Sequence, residues 1–177
     1  LEAGGELRGA GAIQANGGNG KNPPSGGGAG GRIALYYGSN TFSGVVTANG
    51  GTGGTQAGGA GTIWQESLES GARYLTISNG NVGNENNALT QILEESFSGS
   101  ELQNLTIVGR ANVQLDKVLT LGNTNFSIPS NTRLTQNAEI SGVNLTSMTV
   151  GGIWIRNVLG TFDQGNTTLT VETGGLI

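Results

Sequence analysis

The sequence predicts an all-β chain wound as a parallel solenoid, a single-stranded β-helix, of about 20–25 residues per coil. Two observations carry that prediction. Ile13-Gln14-Ala15-Asn16-Gly17-Gly18 recurs as Val46-Thr47-Ala48-Asn49-Gly50-Gly51, an offset of 33. In the second half, Leu105-Thr106-Ile107, Phe126-Ser127-Ile128, Met148-Thr149-Val150 and Leu169-Thr170-Val171 begin at 105, 126, 148 and 169, in steps of 21, 22 and 21. Each triplet is apolar–polar–apolar, the period of a half-buried strand. One such coil cannot bury its inward residues alone, whereas stacked coils share a continuous core.

Composition decides whether the glycines mean disorder. Gly supplies 34 of 177 residues, a content that by itself suggests a low-complexity chain. Yet 34% of residues are hydrophobic, in short patterned runs, and only 11% are charged, so self-repulsion does not hold the chain open. The glycines therefore read as turn and close-approach residues.

Along the chain, Gly-rich repeat coils occupy about residues 1–66. Gly28-Ala29-Gly30-Gly31-Arg32-Ile33 recurs as Gly59-Ala60-Gly61-Thr62-Ile63 with one residue lost, so 11–35 and 44–65 are two versions of one unit. Each reads strand, Ala-Asn-Gly-Gly turn, Gly loop, Gly-Ala-Gly, strand. An inserted loop or short helix is expected at about 80–101, with Ala88–Phe97 as the helical stretch because of Leu89, Ile92 and Leu93. Regular coils follow over about 102–177. Between the four triplets lie Val113-Gln114-Leu115, Leu119-Thr120-Leu121, Arg133-Leu134-Thr135 and Ile153-Trp154-Ile155, punctuated by Gly122-Asn123 and Pro129-Ser130-Asn131. The chain opens and stops inside its pattern, which reads as one domain excised from a larger protein with flanking domains.

The string Gly27–Tyr37 (Gly-Gly-Ala-Gly-Gly-Arg-Ile-Ala-Leu-Tyr-Tyr), preceded by the Ala-Asn-Gly-Gly turn, resembles the Gly-rich motif of right-handed parallel β-helix regions in large secreted and surface proteins of bacteria. Some similar domains serve as carbohydrate-binding modules of polysaccharide-degrading enzymes, including xylan-degrading ones. The motif covers about residues 3–65, and the remainder shares only the general coil pattern. The resemblance implies a right hand, an extracellular location (secreted or cell surface) and a polysaccharide partner. Fold alone does not fix function.

Several chemistries are disfavoured by residue type. Without Cys there are no disulfides or thiolate metal sites. Without His there is no imidazole base, Ser-His-Asp triad or imidazole ligand. The eight basic residues are scattered and the formal net charge is −4, which argues against nucleic acid. No apolar run approaches the roughly 20 residues of a membrane span, so no membrane insertion is expected. A lyase or hydrolase would need acids close together, and Glu66, Glu69, Glu94, Glu95, Glu101, Asp116 and Asp163 are spread over loops. No catalytic residue, metal or cofactor is therefore expected. The Gly loops lack the Asp of calcium-binding β-rolls, which leaves room only for a single structural calcium held by carbonyls with Asp or Asn. They also lack the Gly-Lys-Ser/Thr ending of a phosphate cradle. Asn-x-Ser/Thr matches at Asn104, Asn125, Asn144 and Asn166 read as chance in an Asn- and Thr-rich chain.

The two Trp, three Tyr and four Phe are more informative. Strand alternation with Ile33, Leu35, Ile63, Leu75, Ile77, Ile153 and Ile155 inward turns Ala34, Tyr36, Trp64, Tyr74 and Trp154 outward. Phe42, Phe126 and Phe162 read as core. Aligning Ile33 with Ile63 sets Ala34 beside Trp64 and Tyr36 beside Glu66, so the small Ala34 leaves a shelf next to the indole. Tyr36 or Tyr37 would wall that shelf, Gln65 would give it a polar edge, and Arg32 a guanidinium. Flat rings pack against the apolar faces of sugars, while amides and guanidinium groups bond the hydroxyls. The expected ligand-binding set is Trp64, Tyr36, Tyr37, Gln65, Arg32, Trp154 and Tyr74. The expected function is a non-catalytic carbohydrate-binding module for a plant-type, xylan-like polysaccharide. The alternatives are a structural or adhesive segment of a bacterial surface protein or fibre and, third, a polysaccharide lyase or hydrolase. A ring buried as satellite core under the long loops is the plain alternative to the platform.

Overall fold

A computed structural model describes residues 1–83, 87–92, 101–122, 125–142, 145–158 and 167–177. The fold is all-β, and no helix occurs among the described residues. The first half contributes β1 (Glu2–Gly9), β2 (Ala12–Gln14), β3 (Arg32–Phe42), β4 (Val45–Thr47), β5 (Thr62–Ser67) and β6 (Arg73–Ser78). The second contributes β7 (Thr90–Ile92), β8 (Glu101–Leu102), β9 (Asn104–Val108), β10 (Asn112–Leu115), β11 (Leu119–Leu121) and β12 (Asn125–Ile128). It ends with β13 (Arg133–Gln136), β14 (Ile140–Gly142), β15 (Ser147–Val150), β16 (Ile153–Arg156) and β17 (Thr168–Val171). They form five short sheets, ordered β1-β3-β5-β6-β9, β16-β13-β10-β7, β14-β11-β8, β12-β15-β17 and β2-β4.

The 33-residue duplication is a pairing register. Ile13 lies beside Val46 and Gln14 beside Thr47 in the parallel β2–β4 pair. The pairing runs on past the strands, through Gly17 N–H to Asn49 O and Gly20 N–H to Thr52 O, both 2.8 Å. Asn16 and Asn19 accept the amides of Asn49 and Thr52 through their side chains, again at 2.8 Å. The Gly loops bond to one another as well: Gly28 N–H to Gly18 O, Gly51 N–H to Gly28 O and Gly58 N–H to Gly51 O. Backbone lies directly on backbone here. A Cβ at Gly17 or Gly58 would overlap the Gly28 carbonyl oxygen, and one at Gly30 that of Ala48. The sequence is glycine-rich where neighbouring segments leave no room for a side chain.

The 21-residue beat is likewise a register. Phe126 pairs with Met148 and Met148 with Leu169, all parallel. The first triplet, Leu105-Thr106-Ile107, pairs instead with Leu75-Thr76-Ile77 of β6. The expected helix over Ala88–Phe97 is corrected at Thr90–Ile92, which is strand β7 against Val113–Leu115. Thr90 and Ile92 are buried and Gln91 is exposed, so period 2 wins over the i, i+3, i+4 pattern. The rest of that stretch, from 93, lies outside the described residues.

Among the described residues one pair breaks the parallel rule. β5 and β6 are antiparallel, with Trp64 opposite Leu75 and Glu66 opposite Arg73, joined by a turn in which Gly71 has φ +70°. Paired residues share a face of the sheet. Ile33, Leu35, Tyr37 and Ile63 therefore project to one side, where they form a small cluster with Ala48. Leu75, Ile77, Leu105 and Ile107 project to the other side, into the large cluster that also holds Phe126, Met148 and Trp154. The apolar interior changes face where the chain changes direction. Phe126 is buried as expected, Phe42 is half-buried, and Phe162 lies outside the described residues.

Candidate ligand-binding face

The register expected around Trp64 is present. In the β3–β5 pair Arg32 lies beside Thr62, Ala34 beside Trp64 and Tyr36 beside Glu66. By strand alternation these six share the side of the sheet turned away from the first cluster. Trp64 is half-buried, and its inner side packs on the large cluster, because its cross-strand partner Leu75 already belongs to that core. Tyr36 is half-buried and Arg32 exposed. The Trp64 indole N–H donates to Glu66 Oε2 at 3.3 Å, and Arg73 Nε donates to Glu66 Oε1 at 3.3 Å. The strand alignment already sets Glu66 beside Tyr36 on this face, although Glu66 is not in the expected ligand-binding set. Arg73 is the neighbour it does not find, because the antiparallel turn that brings Arg73 across has no comparable signal.

Other expected members lie elsewhere. Tyr37 is buried on the opposite face, its hydroxyl 3.5 Å from Gln65 Oε1, so neither residue edges the Trp64 shelf. Tyr74 pairs with Gln65 and shares that far face, half-buried. It points away from Leu75 as alternation requires, but also away from Trp64.

The outward placement of Trp154 is corrected. Its ring is 2% exposed, and its indole N–H donates to Gln136 Oε1 at 3.1 Å within the core. The flanking residues Ile153 and Ile155 are the half-exposed ones. β16 pairs with β13 so that Trp154 lies beside Leu134, which in turn lies beside Val113. The column Val113, Leu134, Trp154 has steps of 21 and 20 residues. That beat places the ring inside, whereas two flanking isoleucines place it outside.

Among the acids, Asp116 accepts hydrogen bonds from the amides of Gln91, Gln114 and Asn137. Asn137, more than the other two amides, holds its carboxyl below the ordinary range against the opposing effect of partial burial. Glu94, Glu95 and Asp163 lie outside the described residues, as do Asn144 and Asn166. An open groove of about 660 Å³ separates the Thr52–Ala57 turn from Gly83 and Asn87. Among the described residues no aromatic or charged side chain lines it, so these offer a sugar no ring to stack on. Among the described residues no three His, Cys, Asp or Glu side chains group as metal ligands.

Comparison with protein-family models, with curated proteins and with solved structures finds no match to this chain.

Proposed function

We propose that this chain is a non-catalytic carbohydrate-binding module, a right-handed parallel β-solenoid that binds a plant-type polysaccharide, xylan-like by preference, on the face around Trp64. The observation that carries the reading is the in-register trio Ala34, Trp64 and Tyr36 on the side of β3 and β5 turned away from the small cluster. A small methyl group stands in register beside a half-buried indole, with the Arg32 guanidinium on the same face; rings and guanidinium groups are the side chains that pack on sugar faces and bond hydroxyls.

The solenoid reading is supported by the strand order. β10, β11 and β12 pair in parallel with β13, β14 and β15 respectively, three strands per step of about 21 residues. β16 and β17 continue two of the three columns. Reversing strand direction while moving the interior to the other face preserves the hand of winding. One right-handed solenoid can therefore run through the β5–β6 seam.

Affinity electrophoresis against xylan, glucans and pectin tests the function. The wild type is retarded by xylan and Trp64→Ala is not. Absence of retardation of the wild type by every glycan would sink the reading.

A structural or adhesive segment of a secreted or surface protein is the second reading. It is favoured by the strand columns themselves, β7-β10-β13-β16, β8-β11-β14 and β12-β15-β17, whose repetition serves length and stiffness.

A further inference from the structure

We propose that Glu66 and Arg73 are positioning residues that fix the plane of the Trp64 ring for its ligand; this rests on the carbohydrate-binding reading of the same face. Glu66 lies two residues from Trp64 on β5, so both side chains rise from one face. Arg73 is the partner of Glu66 across the β5–β6 turn, on that face too. One carboxylate oxygen takes the indole N–H and the other takes the guanidinium Nε–H, each at 3.3 Å. The two side chains are 35% and 21% exposed, Arg73 and Glu66 respectively, so solvent screens the pair only in part. Both oxygens of Glu66 are engaged by the protein, and Glu66 acts through the ring rather than on a sugar.

The result is a ring held on two sides, by Leu75 and the core on one flank and by Glu66 at the indole nitrogen, with only the small Ala34 in register on the other flank. A ring already held in its bound orientation loses less rotamer entropy on binding. A phenyl ring at this position would lose the tether, since only the indole has an N–H to give.

The experiment uses the whole chain with ¹⁵N-labelled tryptophan. The two indole resonances are assigned with Trp64→Phe, and soluble xylan is the affinity-gel probe. In Glu66→Ala the Trp64 indole resonance shifts and broadens while that of Trp154 stays in place, which certifies the fold. The xylan dissociation constant rises roughly three- to tenfold, the scale of losing a preorganising contact. Glu66→Gln, which keeps an acceptor for the indole, restores the resonance and holds affinity within about twofold of wild type. An unmoved Trp64 resonance in Glu66→Ala overturns the positioning role, and so does a moved resonance with unchanged xylan affinity. Failure of the wild type to bind any glycan removes the underlying reading and this role with it. That outcome is told apart from the others because the tether is read without glycan.

Discussion

At Asp116 four hydrogen bonds from three amide side chains converge on one carboxylate, from Gln91 on β7, Gln114 on β10 and Asn137 just past β13. Asn157 extends the row by donating to Asn137 Oδ1 at 2.7 Å. The ionised form is the better acceptor, and the Asn137 bond leads in lowering the carboxyl below its ordinary 3.8. A depressed folded-state value contributes stability that is present above 3.8 and is lost as pH falls through the lower folded value. Asp116→Asn should therefore melt below wild type at neutral pH, with the gap closing in acid. Thermal melts of both proteins across that range check this, and a gap that stays constant would refute it. The same scale shows what a residue's neighbours in sequence can and cannot say. The pairing of Trp64 with Ala34 is legible, because the duplication supplies it, whereas the packing of the ring on the large cluster is not, because it comes from Leu75 across the antiparallel pair. Trp154 is not legible from Ile153 and Ile155, because three apolar residues in a row fit either orientation. Its burial follows from Leu134 across the strand pair, a contact 20 residues away.

Among the elements, the Gly-rich loops have the most restrictive packing. Gly30 donates its N–H to Gly59 O at 3.0 Å, and a Cβ there would strike the Ala48 carbonyl oxygen. That oxygen cannot retreat without giving up the Gly61 N–H, which it accepts at 2.6 Å. Gly30→Ala should cost about 2 kcal/mol or more in a urea titration, at the upper end of overpacking penalties because backbone must move. Gly18, where an added methyl would meet nothing within 4 Å, is the control, and Gly18→Ala should shift stability by less than about 1 kcal/mol either way. Equal effects at the two positions would mean that the loops are not packed backbone to backbone. The duplication is readable because Ala-Asn-Gly-Gly is repeated letter for letter, and Asn16 stands where the stacked Asn49 amide needs an acceptor. The β5–β6 reversal is not readable. Its turn, Leu68-Glu69-Ser70-Gly71, carries neither Asn-Gly nor Pro, and Gly71 is its only strong turn residue. β7 misleads because Leu89, Ile92 and Leu93 imitate one face of a helix, and only the pairing with Val113–Leu115 selects strand.

Over the whole molecule, the face swap at β5–β6 puts two apolar clusters on opposite sides of one sheet, which invites the halves to unfold separately. The contacts across the seam argue otherwise. Trp64 comes from the strand that lines the small cluster and packs on the large one. Asn79, fully buried just after β6, accepts Gly50 N–H at 2.7 Å and donates to Gly58 O at 3.1 Å, so it ties the Gly loops to the second half. Thr90 on β7 donates its hydroxyl to Ala60 O at 2.6 Å. Each tie is a buried polar group whose release would leave donors or acceptors without partners, at about 1–3 kcal/mol apiece. Opening the Gly loops alone would break the Asn79 and Thr90 ties together while the large cluster stayed intact, so sub-global opening is penalised. Native-state hydrogen exchange should then give the Gly51 and Gly61 amides nearly the same opening free energy as the Phe126–Val150 strands, with a single transition in urea. Asn79→Ala should separate them, lowering the protection of the Gly loops more than that of β12 and β15. Gly-loop amides that already open about 2 kcal/mol or more below the strands in the wild type would show two cooperative units, and the seam would then be a contact rather than a bond between the halves.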